Sequence, residues 1–183
     1  MALHADSTSL SAEVIDEYLT TVEGCLGHRK PDGGCLGYPS VLLLFCTVEA
    51  LGNYLAPKNH PFRVLNHPSF GLNLRHDQID KLVTWYRHLL AHAALIAPGT
   101  YITPEADGAP FEFLPGGEPS KIRVIPFYKM VKAGWAAFNK SLLKPESQLA
   151  QKHYRAAPMN LTGSTAVSIA ASGSNYVPTA IKK

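Results

Sequence analysis

RHDQIDKLVTWYRHLLAHAALIA, residues 75–97, is the stretch on which the fold turns. Ile79, Leu82, Val83, Tyr86, Leu89, Leu90, Ala93 and Ile96 recur at intervals of three and four, the period of an amphipathic helix with one buried stripe. Three residues of a different kind are set into that helix: Arg87, His88 and His92. His88 and His92 are four apart and share a face, whereas Arg87 and His92 stand roughly 140° apart around the axis. An apolar bundle has no use for such groups. A guanidinium beside two imidazoles can hold a phosphate and move a proton near neutral pH.

Working outward from this helix, two more precede it. The first is expected to start near Ser11, a good cap residue, and to bury Val14, Ile15, Tyr18, Leu19, Val22 and Leu26. Gly27 to Gly34, GHRKPDGG, reads as a turn. The second helix is expected from about Pro39 to about Leu55, before Pro57, and is apolar nearly all round, as a central core helix would be. Residues 56–74 read as a long ordered loop, with Asn73 as the cap of the motif helix. After Pro98 and Gly99 the period changes. Residues 100–104 and 110–114 read as two short strands of a hairpin joined by EADGA. A fourth helix is expected over residues 126–143, with Val131, Trp135, Phe138 and Leu142 inward and Lys129, Lys132 and Lys140 outward. Residues 145–183 are Ser-, Ala-, Gly- and Lys-rich and read as an irregular basic extension. The expected fold is all-α: an antiparallel bundle of four main helices over residues 1–144, with a small β-hairpin insertion.

Composition narrows the class. A hydrophobic share of 46% with 17% charged residues fits a globular chain that buries its own core. No basic start followed by an apolar run opens the sequence, and residues 41–50, the longest apolar run, are too short to span a bilayer. Three cysteines suit a reducing compartment better than a disulfide scaffold, so a cytoplasmic protein with no membrane partner is expected. The net charge of +3 hides a segregation. Residues 1–118 carry seven Lys or Arg against thirteen Asp or Glu, a net of −6, while residues 119–183 carry ten against Glu146 alone, a net of +9. Such asymmetry points either to an acidic partner, nucleic acid being the commonest, which Lys129, Lys132 and Lys140 would contact, or to packing of the basic part on the acidic part.

On chemistry alone, cleavage of an RNA phosphodiester needs a base for the ribose 2′-OH, an acid for the leaving oxygen and a cation on the phosphorane charge. Histidine can serve in both proton roles at neutral pH, and arginine grips phosphate oxygens in pairs. No metal or cofactor is required for such a site. A two-fold dimer would bring two such helices together. Glu49, a carboxylate in an otherwise apolar helix, either pairs with Arg87 and orients its guanidinium or faces a polar edge of the bundle. Weaker patterns are the His88/His92 pair and the Cys25, His28, Cys35 group as metal ligands, and Phe127, Tyr128, Trp135 and Tyr154 as stacking surfaces for bases.

An arginine, then a polar residue, then a histidine four to six positions on, late in a long amphipathic helix, resembles the signature of the HEPN superfamily. Here it reads Arg87, His88, Leu89, Leu90, Ala91, His92. The order of helices over residues 10–143 is similar as well. The resemblance implies a metal-independent endoribonuclease leaving a 2′,3′-cyclic phosphate, of the kind found among toxins and defence proteins, with a homodimeric composite site and a protein antidote as a further partner. It implies His92 as the proton-transfer residue, Arg87 as the phosphate stabiliser and His88 as the polar residue after the arginine. Some members of the superfamily are non-catalytic modules that bind a protein, a nucleotide or nucleic acid.

Overall fold

The structure is a computed structural model, and it describes residues 7–55 and 60–138. The chain folds as a mostly helical protein with a small three-stranded sheet. Helix α1 (Ser7–Gly27) is followed by α2 (Gly37–Leu55) and by a 3-10 turn over Pro61–Asn66. The motif stretch forms one rod of three parts: α3 (His76–Leu82), a π-helical turn over Val83–His88, and α4 (Leu89–Ala93). Three strands follow, β1 (Tyr101–Thr103), β2 (Phe111–Phe113) and β3 (Pro119–Arg123), and β3 runs directly into α5 (Val124–Ala137). None of the described helices is long and apolar enough to cross a membrane.

Helix α2 is the centre of the packing. Its Val41, Leu44, Phe45, Val48 and Leu51 are fully buried, as expected for a helix that is apolar on all sides. Phe45 anchors an aromatic cluster: its ring lies 5.2 Å from Phe127 edge-on, 5.9 Å from Phe62 and 6.4 Å from Phe111. Edge-to-face contacts of this kind add to the burial of each ring. On α1 the expected stripe is present, with Ile15, Leu19 and Val22 buried and Val14, Tyr18 and Leu26 half-buried. Gly52 of α2 lies against the backbone of the 3-10 turn so closely that a Cβ there would stand 1.8 Å from the Pro61 carbonyl oxygen.

The motif rod starts and stops differently from expectation. Arg75, rather than Asn73, is the N-cap, and its amide donates to Gln78 Oε1 at 2.9 Å. The preceding residue is fixed by Asn66, whose side chain donates to the Leu74 carbonyl at 2.7 Å and accepts from the Leu74 amide at 2.8 Å. The rod ends at Ala93 instead of Ala97, because Ala94 turns left-handed at φ 53°. The amides of Ala94 and Leu95 both return to the Leu89 carbonyl and close the end of the rod. Ile79, Leu82, Val83 and Tyr86 form the buried stripe; beyond the π turn, Leu89, Leu90 and Ile96 are only half-buried and Ala93 is exposed. Within the π turn the Trp85 carbonyl accepts from the Ala97 amide at 3.1 Å, so the chain beyond the rod folds back along it. Burial pushes the Tyr86 hydroxyl above the usual tyrosine range, although it donates to the Tyr101 carbonyl at 3.3 Å.

The expected hairpin between residues 100–104 and 110–114 does not form. Strand order is β1-β3-β2, with β1 parallel to β3 and β2 antiparallel to it. The hairpin is β2 with β3, closed by a turn in which the Leu114 amide bonds Glu118 O at 2.8 Å and Gly117 adopts φ +81°. The segment read as the hairpin turn, EADGA, instead packs over β3, where Arg123 binds Glu105 Oε2 at 2.7 Å and Glu112 Oε2 at 2.6 Å. Helix α5 begins at Val124 and stops at Ala137, since Phe138 is already extended. Its expected inner residues Val131, Trp135 and Phe138 are buried. The basic extension, residues 145–183, lies outside the described residues, as do Lys140, Leu142 and Tyr154.

Candidate phosphate site on the motif rod

Arg87 and Glu49 meet across the interface between α2 and the motif rod. Arg87 Nη2 donates to Glu49 Oε2 at 2.8 Å and Nε donates to the same oxygen at 3.1 Å. Of the two arrangements that the sequence leaves open for Glu49, the structure has the pairing: a carboxylate in an apolar helix gains a partner, and the rod turns the Arg87 guanidinium toward it. Both side chains keep some solvent contact, 21% for Arg87 and 30% for Glu49, so the pair is neither dry nor free. One edge of the fork is thereby held, while Nη1 of Arg87 and Oε1 of Glu49 make no hydrogen bond among the described residues. A cation fixed by one edge and open at the other is set up to grip an anion in one orientation.

His88 and His92 are brought together on the outer side of the rod. Their ring centroids are 6.1 Å apart and inclined by 59°, and both residues are exposed. Neither imidazole has a hydrogen-bond partner among the described residues, and no hydrogen bond links either ring to Arg87. The structure therefore gives two adjoining parts, an anchored guanidinium turned inward and two imidazoles turned outward. They join through the Arg87–His88 peptide, where the π turn hands over to α4. A π turn in the middle of a helix is frequently found at functional sites, since the wider winding re-aims the side chains that follow it.

Cys46, one turn before Glu49 on α2, was not singled out by its sequence context. Burial pushes its thiol upward, and the neighbouring Arg87 charge pulls it back. Among the described residues, no group of three or more His, Cys, Asp or Glu side chains could hold a metal ion; neither the His88/His92 pair nor Cys25, His28 and Cys35 gain a further ligand.

The basic residues nominated for nucleic acid fare unevenly. Lys132 is committed to its own chain: it donates to the Tyr128 hydroxyl at 2.9 Å and pairs with Glu23 at 3.3 Å. The Tyr128 and Lys132 contacts hold the Glu23 carboxyl below its ordinary range, while burial raises Tyr128. Lys121 and Arg123 are likewise paired with Glu105 and Glu112. Of the four cations between residues 119 and 138, only Lys129 is outward with no such pairing among the described residues. Among the described residues, three cations of the basic part, Lys121, Arg123 and Lys132, are thus held by carboxylates of the acidic part. Phe127, Tyr128 and Trp135 belong to the core and offer no stacking face.

The chain matches no family model, no curated protein and no solved structure.

Proposed function

We propose that this chain is a metal-independent endoribonuclease of HEPN type, whose α1, α2, motif rod and α5 correspond to the four helices of an antiparallel bundle. The observation that carries the reading is the one-edged clamp of Arg87 by Glu49, one residue from a pair of exposed imidazoles. In this reading Arg87 Nη1 donates to a non-bridging oxygen of the scissile phosphate and steadies the charge that grows on the phosphorane. His92 accepts the proton of the ribose 2′-OH as that oxygen attacks phosphorus. His88 gives its proton to the departing 5′-oxygen as the P–O5′ bond breaks. The products are a 2′,3′-cyclic phosphate and a 5′-hydroxyl, and water then resets the two protons between the rings.

A second copy of the chain completes the site in this reading. Tyr38, Pro39, Leu42, Leu90 and Ala94 line an apolar hollow of about 320 Å³ beside the motif rod, and Tyr38 and Leu95 expose 52% and 61% of their surface. Apolar surface so placed suits a two-fold contact that would bring two rods together.

A second reading is favoured by the inward turn of Arg87, which makes no hydrogen bond to either histidine: a module that binds RNA or a nucleotide without cutting it. One assay separates the two. A purified chain incubated with labelled RNA in excess EDTA is expected to yield fragments with 2′,3′-cyclic phosphate ends. Salt-sensitive retention of intact RNA, with no fragments, would select the binding module instead.

A further inference from the structure

Glu49 has a second face. It lines a cavity of about 390 Å³ between α1 and α2, together with Val14, Ile15, Tyr18, Ala50 and Asn53. Ser11 and Tyr54, joined by a bond between their hydroxyls, also line it. The volume falls within the ~300–1,000 Å³ of small-molecule sites, and the lining has the usual form of such sites, apolar walls with a few convergent polar groups. Asn53 stands four residues after Glu49, hence on the same face of α2. Its amide makes no hydrogen bond among the described residues. Because both bonds from Arg87 land on Oε2, Oε1 of Glu49 remains an unused acceptor.

We infer that this cavity is a base-binding subsite selective for guanine, with Glu49 and Asn53 reading the edge of the ring. The deduction rests on the reading of Arg87, His88 and His92 as an RNA site, and names the base that site takes. A carboxylate only accepts hydrogen bonds, whereas an amide nitrogen donates them. Guanine presents two adjacent donors, N1–H and the N2 amino group, next to the O6 acceptor, which matches a carboxylate followed by an amide. Uracil sets two carbonyl oxygens around a single N–H, so it would turn lone pairs toward Glu49. Adenine has an amino group where guanine has O6, and its N1 is an acceptor that would turn a lone pair toward Glu49. Val14 and Ala50 offer apolar surface to the ring, and Tyr18 adds an aromatic residue to the lining. The cavity and the guanidinium of Arg87 share one carboxylate, that of Glu49.

Calorimetric titration of the full chain with GMP, AMP, CMP and UMP tests this directly, with GMP expected to bind at least tenfold more tightly than the others. Asn53→Asp puts a carboxylate against O6, so GMP binding should be lost while the melting temperature is kept. Ala50→Leu, which fills the cavity, should abolish GMP binding. Cleavage sites mapped on an RNA of mixed sequence should lie beside guanosine in the parent chain. Equal binding of the four nucleotides, or a GMP preference that survives Asn53→Asp, overturns the subsite, and RNA cut without base preference would then leave the nuclease reading standing alone. Selective GMP binding that is lost in Asn53→Asp, with no cleavage of any RNA, upholds the subsite and removes the nuclease.

Discussion

Gly52→Ala is expected to destabilise the protein by about 3 kcal/mol, the upper end of overpacking costs. The reason is a backbone-on-backbone approach. The new methyl would stand 1.8 Å from Pro61 O and 2.5 Å from Pro61 C. No rotamer change relieves that clash, because the obstructing atoms are main chain. Either α2 or the turn over Pro61–Asn66 has to move. Moving the turn disturbs Asn66, whose side chain holds Leu74 at the start of the motif rod. The damage would therefore reach the Arg87–Glu49 contact from a distance. Thermal unfolding should register a fall of about 9 °C for a chain of this size. Gly24→Ala is the control, since nothing lies within 4 Å of a Cβ there and α1 should gain slightly from alanine. A Gly52→Ala protein that melts with the parent would contradict the packing described.

His92→Ala is expected to lower the RNA cleavage rate by at least about 100-fold, the ordinary contribution of a proton-transfer residue. The melting temperature should not change, because the ring is exposed and carries no hydrogen bond among the described residues. Arg87→Lys makes the informative contrast. A lysine keeps the charge but cannot hold Glu49 with one edge and a phosphate with the other. It should therefore lose activity while stability falls by no more than about 1 kcal/mol, the usual worth of a partly exposed ion pair. If Arg87→Lys matched the parent in rate, the fork geometry would be irrelevant and the clamp merely structural. If His92→Ala cut RNA at the parental rate, the imidazole would have no proton role.

How far these features were legible in the sequence differs from element to element. The stripe Ile79, Leu82, Val83, Tyr86 was readable because burial of one helix face leaves a period that nothing else produces. The pairing of Glu49 with Arg87 was one of two arrangements the sequence left open, because a costly charge in an apolar helix can be met by a partner or by a polar edge. The outward pairing of His88 with His92 followed from their spacing. The π turn was not legible, since the contact that accompanies it, the Ala97 amide on the Trp85 carbonyl, comes from the chain beyond the rod. The strand pairing was misread for a different reason. PSKIR carries a single inward Ile122 between Lys121 and Arg123, so the central strand looks like a polar connection, and its acidic partners Glu105 and Glu112 are recognisable only after folding. The same holds for Lys132: a lysine on an outer helix face gives no sign that Glu23, on α1, will claim it. The cavity beside Glu49 depends on the distance between two helices, which no local pattern encodes.

The central claim is that Arg87 and the two histidines act on one phosphate. The most direct measurement is a crystal structure of the protein with a short RNA blocked at the 2′-oxygen, so that binding occurs and cleavage does not. The expected result is a phosphate oxygen on Nη1 of Arg87, with an imidazole of His92, from the same chain or its two-fold mate, within hydrogen-bond reach of the blocked 2′-oxygen. RNA seated elsewhere on the surface, with Arg87 still bound only to Glu49, would contradict it.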